Sequence, residues 1–236
     1  MKIQQRVFTH KTGWAADGEK TSGGGEKLVL AFGAPALLID PKIMAEAQAL
    51  FPGATIFGCS TAGEIRGTQV LDDSLVLTAT AFSDTQFRAA EVLLDGDDSA
   101  AGGAALGRAL KGDDLAHVLV LSAGLNVNGS ALVKGLTSEL PAEVAVTGGL
   151  SGDGARFQET WVYSGGKALA NCAAGIGFYG NKLKVGYGSM GGWGTFGPER
   201  RVTHSRGNVL YELDGEPALE LYKRYLGTHA AGLPAS

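Results

Sequence analysis

Glycine occupies 37 of the 236 positions, more than twice the usual share of ~7%. The glycines form no tandem repeat, and the apolar residues between them alternate in a way that a disordered chain would not. They therefore mark many tight turns and many exposed backbone amides at strand ends. A chain so punctuated is built from short strands and helices in layers. Its length suits one large domain or two small ones, and either buries a sizeable core.

Composition removes several classes of function. Twenty basic against 24 acidic residues give a formal charge of −4 and a pI near 5.6, without the basic footprint of a nucleic-acid binder. The longest apolar run, Lys27 to Ile39, contains Gly33 and Pro35 and falls short of the roughly 20 residues of a membrane span. The start, MKIQQRVFTH, lacks the apolar stretch of a signal peptide. Two cysteines, Cys59 and Cys172, provide neither a disulfide framework nor a cysteine zinc site. The expectation is a soluble, cytoplasmic chain.

The fold class read from the pattern is α/β, mixed α+β: a layered domain with a strand–helix–strand first half and an antiparallel β-rich second half. Gln4 to His10 reads as a strand and Gly13 to Gly25 as a polar loop. Leu28 to Phe32 is continuously apolar, as in a strand buried on both faces. Asp40 offers an N-cap with Pro41 at the first helical position, Pro52 and Gly53 end that helix, and Ala54 to Cys59 is the next strand. Ser74 to Phe82 and Gln86 to Leu94 predict a hairpin around Ser83 and Asp84. Asp98 or Ser99 caps a helix reaching Leu110, Val118 to Leu121 is a buried strand, and Ser130 caps a helix ending before Pro141. Val144 to Thr147 is a short strand entering a glycine-rich loop. Residues 157–164, 168–179 and 183–189 predict an antiparallel meander. Strand-like VTHS and NVLYEL follow, then a helix opened by Glu216 and Pro217 and stopped by Gly227.

Two glycine motifs, beginning at Gly175 and Gly186, match GxGxxG, but neither lies between a strand and a helix, as a pyrophosphate site requires. They read as structural glycines. The segment Gly149-Leu-Ser151-Gly-Asp153 places aspartate where a nucleophile elbow needs glycine. The four histidines, His10, His117, His204 and His229, have no triad or metal spacing.

Two other loops carry more chemistry. Gly58-Cys59-Ser60-Thr61-Ala62-Gly63-Glu64 and Gly148-Gly149-Leu150-Ser151-Gly152-Asp153-Gly154 each follow a buried strand and combine glycines, hydroxyls and one carboxylate. Converging backbone N–H groups make an anion nest, hydroxyls add adjustable donors, and a carboxylate accepts from an ammonium. Such a set suits a zwitterion such as a free amino acid. The same spacing also fits turns whose side chains satisfy their own backbone. Trp193 and Phe196, set among glycines, read either as an aromatic lip over a pocket or as a plug.

Taken together, FGCSTAGEI (57–65), GGLSGDG with the following FQETWVY (148–163), and GWGTFGPERRVTHSRGNVLYELDGEPALELYKRYLG (192–227) resemble the FIST family, the F-box and intracellular signal transduction domain. The resemblance runs from roughly residue 25 to 233. It implies a cytoplasmic, bacterial sensory module that binds a small ligand, amino acids among those proposed, without enzymatic activity. Some members are haem proteins that sense nitric oxide and act on a histidine kinase or a cyclic-di-GMP enzyme. It further implies an N-terminal domain over 1–215, with 216–236 opening a C-terminal part that the chain leaves incomplete. The motif positions carried over as ligand-binding are Cys59, Ser60, Thr61, Gly63, Glu64, Gly149, Ser151, Gly152, Asp153, Gly154 and Trp193. The second loop's N–H groups are assigned to a ligand anion, Asp153 or Glu64 to its cation, and Trp193 to an apolar wall. No cofactor is expected on this reading. Under the haem alternative, His204 and then His117 are the axial candidates. An enzyme using Ser151, Asp153 or Cys59, and an interaction scaffold, complete the alternatives.

Overall fold

The computed structural model of the chain describes residues 2–17, 26–94, 98–192, 194–195 and 197–233. It divides into two compact units, Met1–Gly186 and Tyr187–Ser236.

The first unit opens with β1 (Lys2–Thr9), β2 (Gly13–Asp17), β3 (Glu26–Gly33), α1 (Pro35–Leu38), α2 (Pro41–Leu50) and β4 (Thr55–Ser60). A small hairpin follows, β5 (Glu64–Arg66) and β6 (Gln69–Leu71), then β7 (Ser74–Phe82), β8 (Gln86–Leu93) and α3 (Ser99–Leu110). The unit closes with β9 (Leu115–Ser122), α4 (Gly129–Ser138), β10 (Ala145–Leu150), β11 (Val162–Ser164), β12 (Lys167–Leu169) and β13 (Cys172–Tyr179). One sheet has the order β12-β11-β4-β3-β7-β1-β2 and the other β10-β9-β13-β8. Strands β3 and β4 pair in parallel, as do β9 and β10; the remaining pairs are antiparallel.

Period-2 alternation assigns each strand residue to a layer. Leu28, Leu30 and Phe32 of β3, Phe57 and Cys59 of β4, Leu119 and Leu121 of β9, and Cys172, Ala174, Ile176 and Phe178 of β13 share one apolar layer between the sheets. The opposite face of the seven-stranded sheet, with Val29, Ala31, Ile56, Leu75 and Leu77, is covered by Leu37 and Leu38 of α1 and Ile43, Met44 and Ala47 of α2. The opposite face of the four-stranded sheet, with Val118, Val120 and Ala173, is covered by Leu106, Leu110, Leu132 and Leu136 of α3 and α4. The order of layers is helix, sheet, sheet, helix. This is a mixed α+β fold, with both central strands buried on two faces as their unbroken apolar sequences require.

The caps follow side-chain chemistry. Asp40 Oδ1 accepts from Lys42 N (2.8 Å) and Ile43 N (3.3 Å), with Pro41 opening the helix, and Asp98 Oδ1 accepts from Ala101 N at 2.9 Å. For α4 the cap is Asn128 rather than Ser130; its Oδ1 accepts from Ala131 N at 3.0 Å. Three longer-range expectations also give way. Strands β7 and β8 are consecutive but do not pair: β7 lies between β3 and β1, and β8 pairs with β13. Phe82 and Phe87 both enter the layer between the sheets, their ring centroids 5.9 Å apart, so the turn carries the chain from one sheet to the other. The predicted meander divides likewise. β11 and β12 form a hairpin closed by Gly165 and Gly166 at φ 57° and 80°, the left-handed pair that a two-residue turn demands. β13 joins the other sheet, and 183–189 holds no strand. Finally, Gly13 to Asp17 is a strand paired with β1; residues 18–25 of the expected loop lie outside the described residues.

Glycine inside the elements has a packing role. A Cβ at Gly103 of α3 would overlap the Leu132 carbonyl, and one at Gly135 of α4 would overlap the Ala100 carbonyl, so these helices cross with their backbones nearly touching. Gly175, the start of one GxGxxG match, lies in β13, where a Cβ would come within 2.7 Å of Leu110 Cδ1. Among the described residues, no helix is long and apolar enough to cross a membrane.

The second unit pairs β14 (Val202–Arg206) with β15 (Val209–Leu213), adds β16 (Glu216–Pro217), and ends in α5 (Ala218–Leu226) and a 3-10 turn over Gly227–Gly232. Helix α5 buries Ala218 and Leu221, with Glu220 in its first turn and Lys223 and Arg224 in its last, as the helix dipole favours.

Replacing Gly103 or Gly135 by alanine is expected to destabilise the fold by about 1–3 kcal/mol through overpacking. Gly149→Ala, where a Cβ would meet nothing within 4 Å, is expected to stay within about 0.5 kcal/mol. Urea unfolding followed by circular dichroism compares the three.

Candidate functional site

Strands β3, β4, β9 and β10 all end on the same side of the first unit, and in open α/β sheets that carboxyl side is where ligands bind. The two glycine-rich loops leave β4 and β10, one from each sheet, and the fold joins them. Gly152 N donates to Ser60 O at 2.9 Å. Ser60 also accepts from Trp161 N through its Oγ (2.9 Å) and donates its own N–H to Trp161 O (2.8 Å). Ser151 gives both N–H and Oγ–H to Ser122 O, each at 2.8 Å. Thr61 N donates to Gly33 O at 3.0 Å, so the first loop is also tied to the end of β3.

Beside this seam lies a pocket of about 170 Å³, lined by Ala34, Thr61 to Glu64, Asp72, Asp73 and Asp153 to Arg156. Of the sequence-predicted residues, Thr61, Gly63, Glu64, Asp153 and Gly154 line it. Ser60 and Ser151 are buried behind it as the seam itself, and Gly152 stands on the seam. Gly149 lies exposed in β10. Cys59 points into the layer between the sheets and does not line the pocket. Burial pushes its thiol up to about 12 and that of Cys172 to about 11, so neither is a thiolate at neutral pH. Trp193 lies outside the described residues.

Both carboxylates assigned to a ligand cation already have partners. Glu64, 2% exposed, accepts from Thr61 Oγ1 at 2.7 Å on one oxygen and from Ser74 Oγ at 2.7 Å and Ser74 N at 3.3 Å on the other. Asp153, 4% exposed, accepts from Phe157 N (3.2 Å), Gln158 N (2.7 Å) and Glu159 N (3.1 Å). Burial raises the pKa of the Asp153 carboxyl, but those three N–H donors and the charge of Arg156 outweigh it and hold the pKa below 3.8. The carboxylates of Asp72 and Asp73, by contrast, make no hydrogen bond or ion pair to another described residue, and both are exposed at the pocket mouth. Sequence reading passed over this pair. Its signal is two adjacent aspartates immediately before a buried strand, with Asp73 in the left-handed region at φ 49°.

Ser151 Oγ donates to the Ser122 carbonyl, and buried His117 has its Nε2 2.8 Å from Thr147 Oγ1, so these two are not paired as nucleophile and base. Burial lowers the His117 pKa, which keeps the ring neutral at pH 7. His204 lies exposed on β14 in the second unit, its ring stacked on Tyr211 at 4.9 Å. An axial haem ligand needs an apolar pocket, and with residues 201–210 all exposed this setting does not fit the group. No cluster of three or more metal-ligating side chains occurs among the described residues.

A family model for the FIST N domain matches residues 27–216. No curated protein matches the chain.

The depressed pKa of Asp153 sets a pH signature. Its contribution to stability is fully present above pH 3.8, the ordinary carboxylate value, and is lost as the pH falls through the lower folded value. Asp153→Asn is therefore expected to cost about 1–3 kcal/mol at pH 7, with the gap to wild type closing below pH 4. Urea titrations between pH 7 and pH 3 follow that gap.

Proposed function

The chain belongs to the FIST family, a family of sensory signal-transduction domains, and from that premise we propose that it binds a small amino-acid-like ligand in the pocket between its two glycine-rich loops. The observation that carries this reading is the pocket's unspent charge. Asp72 and Asp73 make no side-chain hydrogen bond or ion pair to another described residue, and Arg156 stands on the same pocket. The ligand ammonium sits against Asp72 and Asp73. Its carboxylate faces Arg156 and the N–H groups at Gly154. Glu64 and Asp153 hold the loops in shape and act on the ligand through them.

Size supports a small molecule. Some 170 Å³ corresponds to about six waters at ~30 Å³ each, well under the 300 Å³ where drug-sized sites begin. The domain binds without transforming, since Ser151 is held by a carbonyl and Cys59 stays protonated. Its signal passes to a partner enzyme in the cytoplasm, a histidine kinase or cyclic-di-GMP enzyme being the kind the family resemblance implies.

Thermal unfolding against a panel of free amino acids tests this. A ligand at 100 times its Kd adds about 2.7 kcal/mol, expected to raise the midpoint by roughly 5–10 °C for a chain of this size. The shift is expected to vanish in Asp72→Asn/Asp73→Asn and to weaken in Arg156→Ala. No shift with any amino acid, or a shift that survives in the double variant, overturns the proposal.

A further inference from the structure

Helix α5 carries more apolar surface than its own unit covers. Ala218, Leu221 and Tyr225 stand at i, i+3 and i+7 and form one stripe of the helix. Ala218 and Leu221 are buried, the only buried residues among those described in the second unit. Tyr225 is anchored on the same stripe, accepting from Arg200 Nη2 at 3.0 Å, and the helix packs against β15. One residue further along, Leu219, Tyr222 and Leu226 repeat the spacing and form a second apolar stripe beside the first. Leu219 is 55% and Tyr222 50% exposed, with Leu226 partly buried. A unit this small rarely supplies enough core by itself, and here half of its helix's apolar arc is left uncovered.

Charge runs along α5 in one direction. Glu216 and Glu220 stand at its start, Lys223 and Arg224 at its end. Within the chain they pair as Lys223 Nζ with Glu220 Oε1 at 2.9 Å and Arg224 Nη2 with Glu216 Oε2 at 3.1 Å. All four side chains are exposed, and exposed pairs of this kind are worth little and exchange partners at small cost.

We propose that the second stripe is a self-association surface whose occupant is α5 of a second copy, lying antiparallel across a two-fold axis near Tyr222. Turned that way, the acidic start of each helix lies beside the basic end of the other, and the helix dipoles oppose as well. A parallel pair would set acid beside acid and base beside base. The two-fold contact is self-complementary: Leu219 of each copy lies against Leu226 of the other, with the two Tyr222 rings at the centre, where an aromatic anchor contributes most. One short helix per copy makes a small interface, so the dimer is weak and reversible. This surface belongs to the second unit, and the proposal stands apart from the amino-acid pocket of the first.

Sedimentation velocity of the whole chain from about 1 to 200 µM brackets the association expected of a weak interface. The expected result is a monomer–dimer equilibrium whose Kd rises by roughly tenfold or more in Leu219→Gln/Tyr222→Gln. Both positions are exposed, so the fold is expected to be kept, and circular dichroism checks each variant. Orientation is read from a charge swap, Glu216→Lys/Glu220→Lys/Lys223→Glu/Arg224→Glu. Antiparallel packing lets swapped chains pair with each other but not with fluorescently labelled wild type. Three results each overturn the proposal. One is a chain that stays monomeric throughout, which leaves the stripe to a different partner. Another is a dimer of undiminished strength in Leu219→Gln/Tyr222→Gln. The third is a swapped chain that pairs preferentially with wild type, the mark of a parallel arrangement.

Discussion

The apolar layer shared by the two sheets is the contact on which the rest of the first unit depends. Every long strand that contributes to it alternates, so one face is committed to the partner sheet and the other must find a helix. Leu28, Leu30 and Phe32 of β3 face inward only if Val29 and Ala31 face α1 and α2. A one-residue slip would exchange these sets. Because the parallel pairs β3–β4 and β9–β10 lie in different sheets, stacking the sheets brings two sets of carboxyl ends together. The glycine-rich loops leave those ends, and the pocket is a consequence of the stacking.

Glycine serves two distinct purposes in this arrangement. At Gly165 and Gly166 it provides the left-handed backbone of a tight hairpin. At Gly103, Gly135 and Gly175 it removes a side chain where two elements meet, allowing α3 to lie close on α4 and on β13. The high glycine content therefore belongs as much to close packing inside elements as to turns between them. Sequence reading saw the turns but could not see the packing, because a glycine in a helix and a glycine in a loop look alike until the neighbouring helix is in place.

Local signals were legible and pairings were not. Asp40 with Pro41, Asp98, and the apolar runs of β3, β4 and β9 marked their elements because caps and burial act over a few residues. The split of β7 and β8 between sheets was invisible because alternation defines a strand's faces and says nothing about its neighbours. The hairpin reading assumed that consecutive strands pair. Here Phe82 and Phe87 had more to gain by meeting across the layer between the sheets. For the site, the two loops were legible as glycine, hydroxyl and carboxylate at strand ends. That they meet, through Gly152 and Ser60, depends on stacking two sheets and could not be read from either loop alone.

The same reasoning explains which carboxylates matter. Spacing drew attention to Glu64 and Asp153, each embedded in a glycine-rich motif. Both are almost wholly buried, and a buried carboxylate without donors is costly. The fold therefore satisfies them, Glu64 through Thr61 and Ser74 and Asp153 through three successive backbone N–H groups. A carboxylate so engaged is poorly placed to recognise a ligand, because every new hydrogen bond competes with one already made. Asp72 and Asp73 occupy an unremarked turn, yet among the described residues their carboxylates accept no hydrogen bond. Their position is nonetheless fixed by the engaged pair: Asp73 precedes Ser74, and Ser74 is held by Glu64. Engaged carboxylates build the site and unengaged ones give it chemistry, a division that hydrogen-bond partners reveal and sequence spacing does not.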